Sequence, residues 1–209
     1  MVLSARNFWI DVSLPFEAIR ESWHHIIAVK WLSGWSTVAK PKLQGAILLI
    51  ASAGALRRSE IGAPDIEDVT FAPEGAVVYL RRTKNDQIGS GTRIAIPRAS
   101  TPKVCPVRAL TACLDAAQIS DGPLFRAIDR HGRVGGRRLS GRATASIIQT
   151  RIPGSNIGGH SLRAGFATSA ARSGVAEAAI MQHGRWNSVV VARGYIRSGS
   201  TWNEAPAVI

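Results

Sequence analysis

Residues 159–197 read GHSLRAGFATSAARSGVAEAAIMQHGRWNSVVVARGYIR, and this stretch decides the fold. Three helices are predicted in it, over 161–173, 176–183 and 188–197. If Ser161 opens the first, His160 takes the N-cap and Arg163 lies one turn on, on the same side. Both side chains could then touch one phosphate, aided by the helix N-terminus. The H-x-x-R spacing is a weak signal by itself. Tyr195 stands between Arg193 and Arg197, and Trp186 lies nine residues before it. Taken alone, these two read as a surface Tyr and a core Trp.

Outward from that stretch the chain stays helical, with one interruption. Residues 13–32 carry a capping Ser, a Pro and a Glu in the first turn, and apolar residues at helical spacing. Residues 42–58 form a second predicted helix, apolar nearly all round and therefore central; Gly62 and Pro64 follow it. Short β-like runs come next at 69–71, 76–82 and 92–97, with a turn in 85–91, giving a small antiparallel sheet. A helix is predicted over 105–119 and another over 140–151. Residues 126–142 hold seven Arg or His and read as an exposed basic loop. The tail, 198–209, reads as weakly structured unless Trp202 docks. The expected fold class is mainly α with a small antiparallel β-sheet, an α+β domain. No internal repeat is visible.

Composition narrows the function classes. The chain has 209 residues, 45% of them hydrophobic, which suits one ordinary domain with a real core. Two cysteines exclude a disulfide scaffold and a four-Cys zinc site. No apolar run reaches membrane-spanning length, and MVLSARNFWIDV lacks the pattern of a secretory signal. A soluble, intracellular protein with no membrane partner is expected. Lys plus Arg is 26 and Asp plus Glu is 14, a net charge of +12. Residues 1–80 carry 7 basic and 8 acidic groups, and residues 81–209 carry 19 and 6. Arg outnumbers Lys, and its planar fork donates two hydrogen bonds to a phosphate at once. A polyanion, nucleic acid foremost, is the expected partner.

Other candidates are individually modest. In GALRRSEI (54–61), Arg57 and Glu60 are three apart and could face the same way. Arg58 suits a cation decorating a helix C-terminus. Lys84, in RTKND (82–86), sits near a hairpin tip, where most lysines are merely solvated. Tyr79 reads as strand packing. No residues cluster like metal ligands, and no cofactor or small-molecule ligand is expected.

Order turns these weak signals into a strong one. Arg, Lys, His-x-x-Arg, Trp and Tyr, on a helix, a hairpin, a helix and a C-terminal helix, resemble the catalytic domain of the tyrosine recombinases, or phage integrases. GHSLRAGFATSAARSG, IMQHGRW and GYIR look most like the Cre-type members. The resemblance runs from about residue 43 to 200, roughly three quarters of the chain. It implies that Arg57 and Arg163 clamp a phosphate, that Glu60 supports them, and that Lys84, His160 and Trp186 complete the site. Tyr195 matches the nucleophile. Trp186 fills a position that is His or Trp in the family; His183, twelve before the tyrosine, does not. Arg82, Arg133, Arg137 and Arg138 are expected to contact DNA.

The resemblance further implies site-specific recombination of double-stranded DNA. Tyr195 would form a 3′-phosphotyrosyl bond and release a 5′-hydroxyl, without metal or external energy. A tyrosine hydroxyl ordinarily has pKa ~10, so cations and a nearby base must activate it. A tetramer on two DNA sites and a cytoplasmic, nucleoid-associated setting are also implied. The chain is expected to be one catalytic domain, 1–209, with residues 1–40 as lead-in and first helix and no N-terminal core-binding domain. The alternatives are a type IB topoisomerase-like relaxing enzyme and an inactive basic DNA-binding module.

Overall fold

The computed structural model describes residues 39–83, 86, 89–152, 158 and 160–200, with the backbone alone at 39–41 and 197–200. The helix expected at 13–32, Lys84 and Trp202 lie outside those residues.

Helix α1 (Ala39–Ala53) runs through the centre. Leu43, Ala46, Ile47, Leu49, Ile50 and Ala53 are each at most 2% exposed, so the helix is buried on all sides, as its composition predicts. It ends five residues before the boundary expected from the apolar pattern. The Leu56 amide reaches back to the Ala51 carbonyl at 2.8 Å, and that of Ala55 to Ser52 at 3.0 Å. This closure places Ala55 in the left-handed region, φ +45°, a position that glycine usually takes. Gly54 stands one residue early, so the apolar run conceals the stop. Arg57 is consequently not helical. Its backbone is extended (φ −73°, ψ 152°), and it caps the one-turn helix α2 (Arg58–Ile61).

The expected sheet is present. Strands β1 (Val69–Phe71), β2 (Gly75–Leu80) and β3 (Thr92–Pro97) lie antiparallel in that order. Opposed pairs such as Val78 with Ile94 and Ala76 with Ile96 turn inward, and all four side chains are buried. Helix α3 (Pro106–Ala117) packs against α1 and bears the free, buried Cys105–Cys113 region of the core. Burial pushes the Cys113 thiol up to about 12, so it behaves as a small hydrophobe.

The basic stretch 126–142 is not a loop. Strands β4 (Arg126–Ile128) and β5 (Val134–Arg138) form a second antiparallel hairpin. Asp129 organises its turn, accepting from the His131 and Arg133 amides at 2.8 and 2.9 Å, and Gly132 supplies φ +85°. Gly and Arg alternate poorly as a strand pattern, which hid the hairpin. Ser140 then caps α4 (Gly141–Arg151), its Oγ accepting from the Ala143 amide at 3.2 Å. Helices α5 (Ser161–Arg172), α6 (Glu177–Gly184) and α7 (Val189–Ser200) complete the described chain. The backbone of 198–200, expected to be tail, extends α7.

Two apolar clusters result. One joins α1, the three-stranded sheet, α3 and α4; the other joins Ala55, α5, Ile180, Trp186 and Ala192. Helix α5 touches α1 and packs broadly on α7, so the residues after α1 lie at the seam. Among the described residues no helix is long and apolar enough to cross a membrane.

Gly75 tests the packing of the sheet. A Cβ there would lie 2.2 Å from the Ile96 carbonyl oxygen. Gly75→Ala should lower stability by about 1–3 kcal/mol, the usual cost of overpacking. Urea denaturation of the two proteins measures it, and equal midpoints would contradict the register.

Candidate active site

The end of α1 leaves three carbonyls without helical partners. Each is taken by a residue from the distant C-terminal half. Ala53 O accepts from His183 Nε2 at 2.7 Å, and Gly54 O from Arg185 Nη1 at 3.1 Å. Ala55 O accepts from Arg163 Nη1 at 2.8 Å and from Arg185 Nη2 at 3.2 Å. Cations at a helix C-terminus also meet the negative end of its dipole.

Glu60 stands beside this group and is 2% exposed. Its Oε1 accepts from Arg57 Nη1 at 2.6 Å. Its Oε2 accepts from the Arg57 amide at 2.9 Å and from Arg185 Nη2 at 2.9 Å. Burial works to raise the Glu60 pKa, but the Arg185 charge and the Arg57 hydrogen bonds outweigh it, and the carboxyl titrates below its ordinary range. It is therefore a carboxylate at neutral pH. Arg57 closes the ring through Nη2 to the Arg185 carbonyl at 3.3 Å.

Arg163 is 2% exposed, among the largest fully buried side chains. Its guanidinium carbon sits 4.1 Å from the centroid of the Trp186 ring. Burial, then the charges of Arg57 and Arg185, lower its pKa to about 10, which leaves it cationic. Trp186 is packed so closely over Gly184 that a Cβ at 184 would lie 1.7 Å from Trp186 Cζ3. A side chain at 184 would therefore unseat the indole.

Tyr195 projects from α7 toward the start of α5. Its hydroxyl lies 2.9 Å from His160 Nε2 in the same chain, and its ring is 6.2 Å from that of Trp186. The Thr168 hydroxyl donates to the Tyr195 carbonyl at 3.2 Å and fixes the helix face. His160 occupies the N-cap position of α5. Burial first, then Arg163 and Arg57, lower its pKa, so the imidazole is neutral at pH 7.

Arg57, Glu60, His160, Arg163, Trp186 and Tyr195 thus meet at one place. Lys84 lies outside the described residues, on the connection between β2 and β3. Arg82, Arg133 and Arg137 are exposed, the first after β2 and the others on the β4–β5 hairpin. Arg138 is engaged within the fold: Nη2 pairs with Asp65 Oδ1 at 2.5 Å, and Nη1 meets the carbonyls of Gly62, Ala63 and Pro64. Sequence reasoning missed Arg185. Its one signal there is its place beside Trp186, whereas its partners lie more than a hundred residues away.

His183 titrates against the fold. Burial, opposed by its bond to the Ala53 carbonyl, lowers its pKa from 6.5 to about 4. The folded state then binds the proton less well than the unfolded one. Stability is full above pH ~6.5 and falls as pH drops from there toward 4. That difference corresponds to about 3 kcal/mol. His183→Gln, which keeps a donor for the Ala53 carbonyl, should lack that component. Denaturation of both proteins between pH 7 and pH 4 measures the difference, and parallel curves would refute it.

No protein-family model matches the chain. Over 164 residues it is 38% identical to an integrase/recombinase xerD homolog of Selenomonas ruminantium, covering 76% of this chain and 48% of that protein. The chain thus spans about half the length of the curated relative it matches. Among solved structures, the XerH site-specific recombinase bound to difH substrate in a pre-cleavage complex aligns with TM-score 0.55 at 14% identity. That alignment covers 89% of this chain and 51% of XerH. XerA recombinase aligns with TM-score 0.56 at 18% identity, over 98% of this chain and 68% of that one. The two solved structures establish the fold, about half helical with small antiparallel sheets. With the sequence relative and the gathered Arg, His, Arg, Trp and Tyr, the conclusion is that this chain belongs to the tyrosine recombinase family.

Proposed function

We propose that the chain carries the catalytic centre of a site-specific DNA recombinase, an enzyme that breaks and rejoins strands through a 3′-phosphotyrosyl bond. The observation that supports this best is the 2.9 Å approach of the Tyr195 hydroxyl to a neutral His160, beside the buried arginines. The relative named an integrase/recombinase, and the XerH complexes with difH, support duplex DNA as the substrate.

The chemistry follows from the groups present. Tyr195 Oη attacks the scissile phosphorus, and its proton passes to His160 Nε2. The phosphorus bond to the 5′-oxygen breaks, and that oxygen takes a proton from Lys84. A 5′-hydroxyl of another strand then attacks the phosphotyrosine and reverses each transfer. Three guanidinium groups and one carboxylate leave these four residues with a net charge of +2. That excess suits the charge that builds on the non-bridging oxygens at the transition state. Arg57 and Arg163 are the groups assigned to it, with Glu60 orienting Arg57. Trp186 shields one side and can donate its ring N–H. Energy is kept in the phosphotyrosyl ester, so ligation needs no cofactor. Arg82, Arg133 and Arg137 are assigned to the DNA backbone, and strand exchange to a tetramer on two sites.

Tyr195→Phe should bind DNA like the parent yet form no covalent adduct on labelled, nicked duplexes taken from the flanking genome. A denaturing gel reads the adduct, and its persistence in the variant would remove Tyr195 as nucleophile.

Lys84 is tested by its leaving group. An alkoxide leaves poorly, since even water has pKa ~15.7, whereas a thiol, at pKa ~8.5, departs without a donated proton. Lys84→Ala should cleave ordinary DNA about 10²–10⁴-fold more slowly, the usual loss for an acid–base group. Sulfur at the 5′-bridging position should restore most of that rate, and should not restore Arg163→Ala. Equal rescue of both variants, or of neither, would give the proton donor's place to another residue.

A further inference from the structure

Arg185 holds a position that a purely structural residue would fill more cheaply. It is the left-handed residue that closes α6, at φ +57°. Its amide bonds to Gln182 O, and the next amide, of Trp186, returns to Met181 O at 3.0 Å. Glycine adopts this conformation without strain, and a branched or long side chain does not. The side chain adds two further costs. It is 12% exposed, and its Nε is buried with no hydrogen-bond partner among the described residues. It also brings a third guanidinium beside those of Arg57 and Arg163, each of which feels its charge. Backbone strain, an orphaned donor and like-charge repulsion therefore coincide at one residue.

What the side chain does with that position is specific. Nη2 donates to Glu60 Oε2 and to Ala55 O, and Nη1 to Gly54 O and His183 O. Glu60 is the carboxylate that orients Arg57. Ala55 O is the acceptor that holds Arg163. The Arg185 carbonyl takes the remaining Arg57 Nη2 contact. Trp186 follows directly in the chain, and α7 with Tyr195 follows Trp186. Arg57, Glu60 and Trp186 are thus each one bond or one peptide away from Arg185, and Arg163 shares the Ala55 acceptor with it.

Resting on the recombinase reading, we propose that Arg185 is a positioning residue, which sets Arg57 and Arg163 in register with the Trp186–Tyr195 segment before DNA cleavage. It touches neither phosphate nor nucleophile; it acts through Glu60 and Ala55. Strain is stored where the geometry of the reacting groups is set, and the surrounding contacts hold it there.

The experiment compares Arg185→Gly with the parent chain. Glycine relieves the left-handed strain while deleting the guanidinium, so backbone role and side-chain role separate. The readouts are melting temperature, affinity for a labelled nicked duplex that the parent cleaves, and the single-turnover rate of phosphotyrosyl formation. The expected result is a rate about 10²-fold lower, the scale of a misplaced catalytic group, at an affinity within about threefold of the parent. Millimolar guanidinium ion should recover part of that loss by filling the vacated site. Arg185→Lys provides a second variant should the glycine protein fold poorly. It keeps the cation but cannot span Glu60, Gly54 and Ala55 together, so it too should be slow while melting like the parent. A folded Arg185→Gly or Arg185→Lys protein that cleaves at the parental rate would overturn the proposal. So would a rate loss matched by an equal loss of DNA affinity. A parent chain that forms no adduct fails before any variant is compared, and would overturn the recombinase reading and this inference with it.

Discussion

A carboxylate with 2% of its surface exposed cannot exist without partners, and the arrangement around Glu60 answers that demand. Arg57 supplies its amide and one guanidinium nitrogen, and Arg185 supplies another. Removing one member of a buried ion pair costs about 3–5 kcal/mol, because the survivor is left charged and dry. Glu60 therefore joins the turn after α1 to the loop after α6, two segments about 125 residues apart. Neither segment has a reason of its own to lie beside the other.

The same seam unites the two apolar clusters. Helix α1 ends early, at Ala53, with Ala55 turned into the left-handed region, and so leaves the carbonyls of Ala53, Gly54 and Ala55 to other partners. His183, Arg185 and Arg163 satisfy them. A continuous helix to residue 58 would have consumed the Ala53 and Gly54 carbonyls internally and carried Arg57 elsewhere. The stop in α1 thus leaves both the acceptor for Arg163 and the extended backbone of Arg57. Indole packing over Gly184 and over the Arg163 guanidinium then covers the group from the α6–α7 side.

Electrostatic balance in the site favours an anion. Arg163 remains cationic despite burial, and His160 is held neutral by the same surroundings. The two effects have one origin: burial and neighbouring guanidinium charge penalise every added proton. They act on a group with a high ordinary pKa and on one near neutrality, so one stays charged and the other does not. An imidazole kept neutral 2.9 Å from a tyrosine hydroxyl is able to take its proton.

Much of this was legible in the sequence. The all-round apolar pattern of α1, the β-runs near 69–97 and the helices after 140 followed from periodicity and capping residues. Ser140 caps its helix as its type suggests. Arg57, His160, Arg163, Trp186 and Tyr195 were recognisable by their order along the chain, through its resemblance to the tyrosine recombinases, and not from any one of them alone. Where periodicity failed, a local cue was masked: Gly54 precedes the left-handed residue by one position, and the three residues of β4 and the Gly-Gly-Arg-Arg run of β5 show no strand alternation. Arg185 was invisible for a different reason. Its role lies in four acceptors, of which Glu60, Gly54 and Ala55 belong to a distant segment, and no spacing along the chain encodes such proximity. Sequence by itself determined which elements form and where the candidate side chains stand along the chain, because helix, strand and charge are properties of near neighbours. Tertiary structure alone decided which arginine holds the others in place, because that depends on where α1 stops and which carbonyls its end leaves to be filled.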